Sequence, residues 1–501
     1  MSHPDDWRGA PDPASLFLVI WAYVRGVSAT RLARNDPPPP ELHGDLLDAL
    51  RQSNGRDAVA AFCDALAKDW RSGTDFVSKR ARVSATLLAL RTLDDILMAI
   101  HPRSVRPSLA QVTHWPDWLA DVEERRTLTG AYASDGALSL IAKGPLMRCP
   151  RLPPDQATFS LGDQFAALKV VDLDSFREDD RRLEVTVRVI DQSVDAGVPH
   201  RRERKASEVV TFVPLAEAGA DLRPEVIRDG GTVYLDVLKG AKYDPSAALL
   251  KAVAANPDSD ILIAPELAVD DQDLETVAQS LPTLGGSAAR LIIAGSGLTA
   301  DGPVEEGRPF NRAAALNANG RLLWEHRKVS AYAMHEETAK GLEIPGVDGA
   351  VKLMERITWS DAVDIADLDG LGRCLMLICQ DLQMSVVDQL LDAFRPDWVL
   401  VPILDTGTSL NRWPARRARD LATRGETRFV VVSSLAMNNW RSVPFTGQEM
   451  GVAIGPTYLN KGETGEIAAV QAEVAPETES WRFGSVRWRN AKGWASYSRG
   501  S

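Results

Sequence analysis

From about residue 229 the chain alternates between short apolar runs and helix-patterned stretches, and this rhythm constrains the fold more than any other feature. "TVYLDVL", "DILIAPE", "ARLIIAGSG", "RCLMLIC", "DWVLVPI" and "RFVVVSS" read as strands. "DPSAALLKAVAAN", "DQDLETVAQSL", "SVVDQLLDAF" and the basic stretch 412–424 read as helices between them. Strands separated by helices form a largely parallel sheet with helices on its faces. "AAALNANGRLLWEHRK" instead reads as two strands joined by Asn319-Gly320, a strong hairpin signal. The sheet is therefore expected to be mixed, within an α/β fold class.

A chain of 501 residues exceeds one ordinary core. Residues 1–150 carry helical stripes: Val59, Phe62, Cys63, Leu66 and Trp70, then Val83, Leu87, Leu90, Leu93, Leu97 and Ile100. "LFLVIWAYV", Leu16 to Val24, is too short to cross a membrane, which takes ~20 residues, and reads as a core helix. "NDPPPP", Asn35 to Pro40, reads as a spacer. Beyond Pro153-Pro154, "RLEVTVRVID" alternates as a half-buried strand and "EVVTFV" as another, with the charged loop "DAGVPHRRERKAS" between them. The expected division is a mainly helical domain over 1–150, a β-rich connecting segment over 151–228, an α/β domain over 229–470 and a tail over 471–501.

Composition narrows the classes. A net charge of -12 argues against a nucleic-acid binder. Four cysteines are too few for a disulfide framework, and none has zinc-ligand spacing. The start, "MSHPDDWRGAPDPAS", is acidic and does not read as a signal peptide. A reducing cytoplasm is the expected location, with no membrane contact and free thiols. No cofactor motif is visible, a P-loop included.

Three strand ends carry chemistry. "LMLICQDLQ" runs from buried strand to polar turn at Cys379; "DILIAPE" ends on Glu266; "LLWEHRK" ends on Lys328. A thiol needs a base, a tetrahedral intermediate needs a cation or fixed N–H donors, and a carboxylate beside a lysine can move protons. Each residue also has a plain reading: Glu266 as a helix cap, Lys328 as surface, Cys379 as core. Under the chemical reading Cys379 is expected to favour the thiolate, and Cys374, five residues earlier, to be buried and inert.

These segments carry a family resemblance. "DILIAPELA", "FNRAAALNANGRLLWEHRKVS" and "LGRCLMLICQDLQ" resemble the Glu, Lys and Cys motifs of the nitrilase superfamily, the carbon–nitrogen hydrolases, in order and in separation: 62 residues from Glu266 to Lys328 and 51 from Lys328 to Cys379. Asn311 opens the second motif. The resemblance covers about 229–470. It implies a four-layer α-β-β-α sandwich behind the helical N-terminal domain, and an amidase-like enzyme without a cofactor or metal. Glu266 would be the general base and Cys379 the nucleophile. Lys328, with the backbone N–H of Gln380, would hold the oxyanion. A thioester would form, and ammonia or an amine would leave.

The family pattern adds a second glutamate between Lys and Cys. Glu336, eight residues after Lys328, is the choice over Glu337. Gln380-Asp381 stands where nitrilases carry Trp-Glu, which favours an amide or ureido substrate over a nitrile, and Ser433-Ser434 stands where an Asn is frequent. The arginines of 412–424 would form a solvated or dimer face, with one as a candidate clamp for a substrate carboxylate. The tail would strap a partner subunit, so a homo-oligomer is implied. Two functional classes stay open: a cysteine carbon–nitrogen hydrolase, and a non-catalytic sensor or scaffold in a larger assembly that engages a protein partner through the N-terminal domain.

Overall fold

The computed structural model describes residues 3–26, 40–102, 116–147, 161–192, 207–213, 215–285, 287–299, 307–349, 352–442, 449–456, 467–473, 484–489 and 493–496. It divides into two compact units, Met1–Ser175 with Val187–Val189, and Phe176–Thr186 with Ile190–Ser501. The proline spacer over 35–39 and the charged loop over 195–206 lie outside the described residues.

The first unit is mainly helical. Asp12 caps the helix Pro13–Val24 by accepting from Ser15 N (2.9 Å), and Asp75 caps Phe76–Leu97 in the same way through Ser78 N (2.9 Å). The expected stripes face inward: Phe62 and Leu66 pack with Phe17, Leu90 and Leu93 in one core. A three-stranded antiparallel sheet, Ala133–Asp135, Leu138–Ala142 and Leu168–Asp172, completes the unit. Its third strand is the reason the unit runs to Ser175 instead of ending near 150.

The second unit is mixed α/β. One seven-stranded sheet has the order Leu322–Arg327, Asn311–Leu316, Leu291–Leu298, Ile261–Ile263, Ser207–Phe212, Gly484–Arg489, Gly493–Ser496. Ile261–Ile263 runs parallel to both neighbours, and the Asn311 and Leu322 strands form the expected antiparallel hairpin. Gly320 in that turn has φ 73°, and a Cβ there would sit 1.8 Å from Ala278 O, so only glycine fits. Helices Pro245–Ala255 and Asp271–Leu284 cover this sheet, with Leu249, Ala252, Val277 and Leu281 packed on Leu262, Ile292 and Leu316.

A second seven-stranded sheet has the order Ile467–Glu473, Glu449–Pro456, Arg428–Ser433, Trp398–Ile403, Gly372–Met376, Ala362–Leu368, Glu184–Ile190. Its three central strands are parallel, and helix Trp413–Thr423 packs on the Arg428 and Glu449 strands. The two sheets meet directly: the Phe212 ring lies over Gly451, and Arg428 Nη1 donates to Glu208 Oε2 (2.9 Å).

"TVYLDVL" does not enter either large sheet. Strand Thr232–Lys239 pairs with Leu222–Asp229 in a hairpin, and with Lys352–Glu355 and Ala333–His335 it builds a separate four-stranded sheet. The first strand of the α/β core is "EVVTFV", Ser207–Phe212, which the sequence reading placed in the connecting segment. Alternation marks a strand but not its partner, and here the partners are remote in sequence. The tail strand Gly484–Arg489 pairs antiparallel with Ser207–Phe212 of its own chain.

Candidate active site

Sheet geometry brings three strand ends together. Ile261–Ile263 is fully buried and leads through Ala264 and Pro265 to Glu266. Glu266 reaches across to the second sheet: its N–H donates to Ile403 O (3.3 Å), and its Oε2 accepts from Leu404 N (2.9 Å). Lys328 follows the strand Leu322–Arg327, with its backbone N–H on Asn311 O (2.8 Å). Cys379 follows Gly372–Met376 and starts a single 3-10 turn, Cys379–Gln383. Its φ is 48°, the left-handed region that a non-glycine residue occupies at a cost of about 1–3 kcal/mol.

Asp381, two residues on, holds that turn. Its Oδ1 accepts from Val329 N (3.0 Å) and Ser330 N (2.9 Å). Its Oδ2 accepts from Ile378 N (3.1 Å) and pairs with His326 Nε2 (2.9 Å). One buried carboxylate thus ties the residue before the thiol to the residues that follow the lysine. The acid was visible in the cysteine motif, but nothing in the sequence assigned it this function.

The charges converge. Lys328 Nζ donates to Glu266 Oε1 (2.7 Å) and to Glu355 Oε2 (2.6 Å). Asn311 Nδ2 donates to Glu266 Oε1 (3.0 Å) and Glu355 Oε1 (3.0 Å), and Tyr332 N–H donates to Glu355 Oε2 (3.0 Å). Burial pushes the Glu266 carboxyl above its ordinary range; Lys328 pulls it back and Glu355 pushes it further up. For Lys328 burial favours the neutral amine, but the charges of Glu266 and Glu355 outweigh it and hold the ammonium. Burial and the Glu266 charge push the Cys379 thiol well above its usual value, against the pull of Lys328. Burial thus opposes the expected resting thiolate, and Glu266 and Lys328 are the charges that act on the sulfur most strongly. Cys374 is fully buried, as expected.

Glu336 is not in this cluster. It opens the helix Glu336–Gly341, accepts from Gly349 N (3.1 Å) and pairs with Lys340 (3.0 Å), while Glu337 is exposed. Glu355, and not Glu336, stands beside Lys328. Spacing after the lysine could not find it, because the short strand Lys352–Glu355 belongs to the small sheet. The signal that could have done so is the one that found the other three: an apolar run, "VKLME", that ends on a chemically capable residue. The helix arginines are also engaged. Arg412 pairs with Asp405, Arg424 with Asp388, and Arg417 donates to Leu382 O (3.2 Å), Met384 O (3.3 Å) and Asp388 Oδ2 (2.6 Å). None of the arginines of 412–424 lines the cavity at Cys379.

That cavity, of about 50 Å³, is lined by Glu266, Lys328, Glu355 and Cys379 together with aliphatic walls from Leu235, Val237, Leu267, Leu298, Leu353 and Leu404. Among the described residues no group of three or more His, Cys, Asp or Glu is placed to hold a metal ion, and no helix is long and apolar enough to cross a membrane.

No protein-family model matches the sequence, and no curated protein matches it. Solved structures do align with it. The chain is similar to nitrilase-superfamily structures. A glutamine-dependent NAD+ synthetase from Acinetobacter baumannii aligns at 16% identity over 59% of this chain and 48% of its own, with a TM-score of 0.35, so this chain spans about half of that protein. Saccharomyces cerevisiae Nit3 aligns at 14% identity over 54% of this chain and 91% of its own (TM-score 0.33). An amidase from Nesterenkonia sp. AN1 aligns at 13% over 55% and 93% (TM-score 0.34). At these identities and TM-scores the likeness bears on neither activity nor substrate.

Proposed function

We propose that the second unit is a cysteine-dependent carbon–nitrogen hydrolase acting on an amide or ureido bond, on a four-layer α-β-β-α frame. The observation that carries this reading is the buried convergence of Glu266, Lys328 and Cys379 on one cavity. A thiol, a base with a raised pKa and a permanent ammonium are the parts that acyl transfer needs.

Glu266 takes the proton from Cys379 Sγ as the sulfur attacks the carbonyl carbon. A raised carboxyl pKa narrows the gap to the thiol and makes that transfer less uphill. The ammonium of Lys328, with the N–H of Gln380, stabilises the oxyanion. Protonated Glu266 then gives its proton to the leaving nitrogen, the C–N bond breaks and a thioester remains on Cys379. Glu266 next deprotonates a water that attacks the thioester, the acid leaves, and the proton returns to the sulfur. Glu355 and Asn311 hold Lys328 and Glu266 in register throughout.

The test is ammonia or amine release from a panel of short amides, ureides and nitriles by wild type and Cys379→Ser. Release from an amide or ureide that the variant lacks supports the reading; a panel-wide absence of release contradicts it.

A further inference from the structure

The cavity has a charged wall that the hydrolytic chemistry leaves unused. The small four-stranded sheet carries Asp236, between Leu235 and Val237, and Arg356 follows Glu355. All five line the cavity with Cys379. Asp236 has a side chain only 9% exposed, and among the described residues its partner is Arg356, through one 3.3 Å contact from Nη1 to Oδ2. Its Oδ1 has no hydrogen bond among the described residues. Burial pushes the Asp236 carboxyl up and outweighs the hydrogen bond and charge of Arg356 that pull it down, with Glu225 and Glu355 adding smaller pushes upward.

We propose that this wall is the specificity determinant: the enzyme takes an aliphatic amide or ureide that carries an amino group at the end remote from the scissile bond, bound by Asp236. This rests on the hydrolase reading above. Three features fix the class of ligand. The aliphatic walls suit an alkyl chain. The cavity holds three carboxylates, Asp236, Glu266 and Glu355, against two cations, Lys328 and Arg356, so an anionic substrate is repelled. The under-solvated Asp236 gains a charge-assisted hydrogen bond from an incoming ammonium, which a neutral methyl end cannot supply. A carboxylate end meets Arg356 only beside Asp236 and Glu355, both of its own sign.

The experiment compares kcat/KM for three amides matched in chain length: 4-aminobutanamide, butanamide and succinamate. The amino amide is expected to exceed butanamide by roughly 10-fold or more, the ratio that one charge-assisted hydrogen bond supplies, and succinamate to be poorest. In Asp236→Asn the ratio of amino amide to butanamide is expected to fall towards one. This ratio is read within one protein sample, so a reduced folded fraction does not move it. Equal rates for the three amides, a preference for succinamate, or an unchanged ratio in Asp236→Asn overturns the inference while leaving the hydrolase reading intact. No turnover of any of them, together with no adduct on Cys379, overturns both.

Discussion

The two units bury charge for opposite purposes. In the helical unit, Asp94 accepts from three backbone N–H groups, Ala166 (2.6 Å), Ala167 (3.0 Å) and Leu168 (2.9 Å), and Arg82 donates to Arg71 O (2.6 Å) and Gly73 O (2.7 Å). These charges staple chain to chain. In the α/β unit, Glu266, Lys328 and Glu355 face one another and a cavity. The cysteines repeat the contrast: burial pushes Cys63 up to about 12 inside an aliphatic core, whereas Cys379 is buried against a carboxylate that can take its proton. Burial of an ionisable group is thus no mark of a site by itself. Convergence of several on empty space, with none saturated by the backbone, is the discriminating feature.

Substitutions should separate the two kinds of burial. Cys379→Ala and Glu266→Gln are expected to lower turnover by roughly 10⁴-fold or more while the protein stays folded, as removal of a nucleophile or its base does; steady-state kinetics with circular dichroism checks both. Lys328→Ala should cost about 10²–10³-fold in kcat through the lost oxyanion donor. It should also melt earlier, because Glu266 and Glu355 then face each other uncompensated, a loss of about 3–5 kcal/mol.

Glu355→Gln is expected to lower kcat on the order of 10²-fold by loosening Lys328. Glu336→Gln, on an exposed helix turn, should change kcat by no more than about 2-fold. Similar losses in the two variants would erase the assignment of Glu355.

The pH profile sharpens the contrast further. Glu266 must be ionised to accept the thiol proton, so kcat/KM should rise with pH through a pKa above the ordinary carboxylate value of 4.5. No alkaline loss from Lys328 should appear below its ordinary 10.5, since its pKa is raised. In the helical unit, Asp94→Asn should cost about 1–3 kcal/mol of stability without altering turnover per folded molecule. Asp94 titrates at about 6 against 3.8, so its protonated form is the one favoured by folding. Its contribution is complete below 3.8 and lost as pH rises through about 6. The variant should flatten that slope in pH-dependent melting.

The sequence made the chemistry legible where a strand pattern runs directly into a chemically capable residue. Ile261–Ile263 and Gly372–Met376 are apolar stretches that lead to Glu266 and Cys379, Leu322–Arg327 leads to Lys328, and all three ends converge. It was silent where position depends on contacts between distant segments. Glu355 ends a four-residue strand whose partner, Thr232–Lys239, lies more than a hundred residues upstream, so the run "VKLME" marks a capable residue but not its place beside Lys328. Asp381 looks like one acid among many until its four hydrogen-bond partners are seen. The arginines of 412–424 read as a free basic face, yet Arg412, Arg417 and Arg424 are paired with acids at 405 and 388. The sequence shows charge near the Cys379 thiol but not its burial, and burial pushes the thiol up against the pull of Lys328.

The central claim is that Cys379 becomes acylated by a substrate amide. Wild-type protein is mixed with a turned-over amide, quenched in acid within the first turnovers, digested and mapped by mass spectrometry. The expected result is an acyl mass increment on the Cys379 peptide alone, absent in Cys379→Ala and lost with time as the acid product accumulates. Ammonia release that persists in Cys379→Ala, or an increment on another residue in its place, would contradict it.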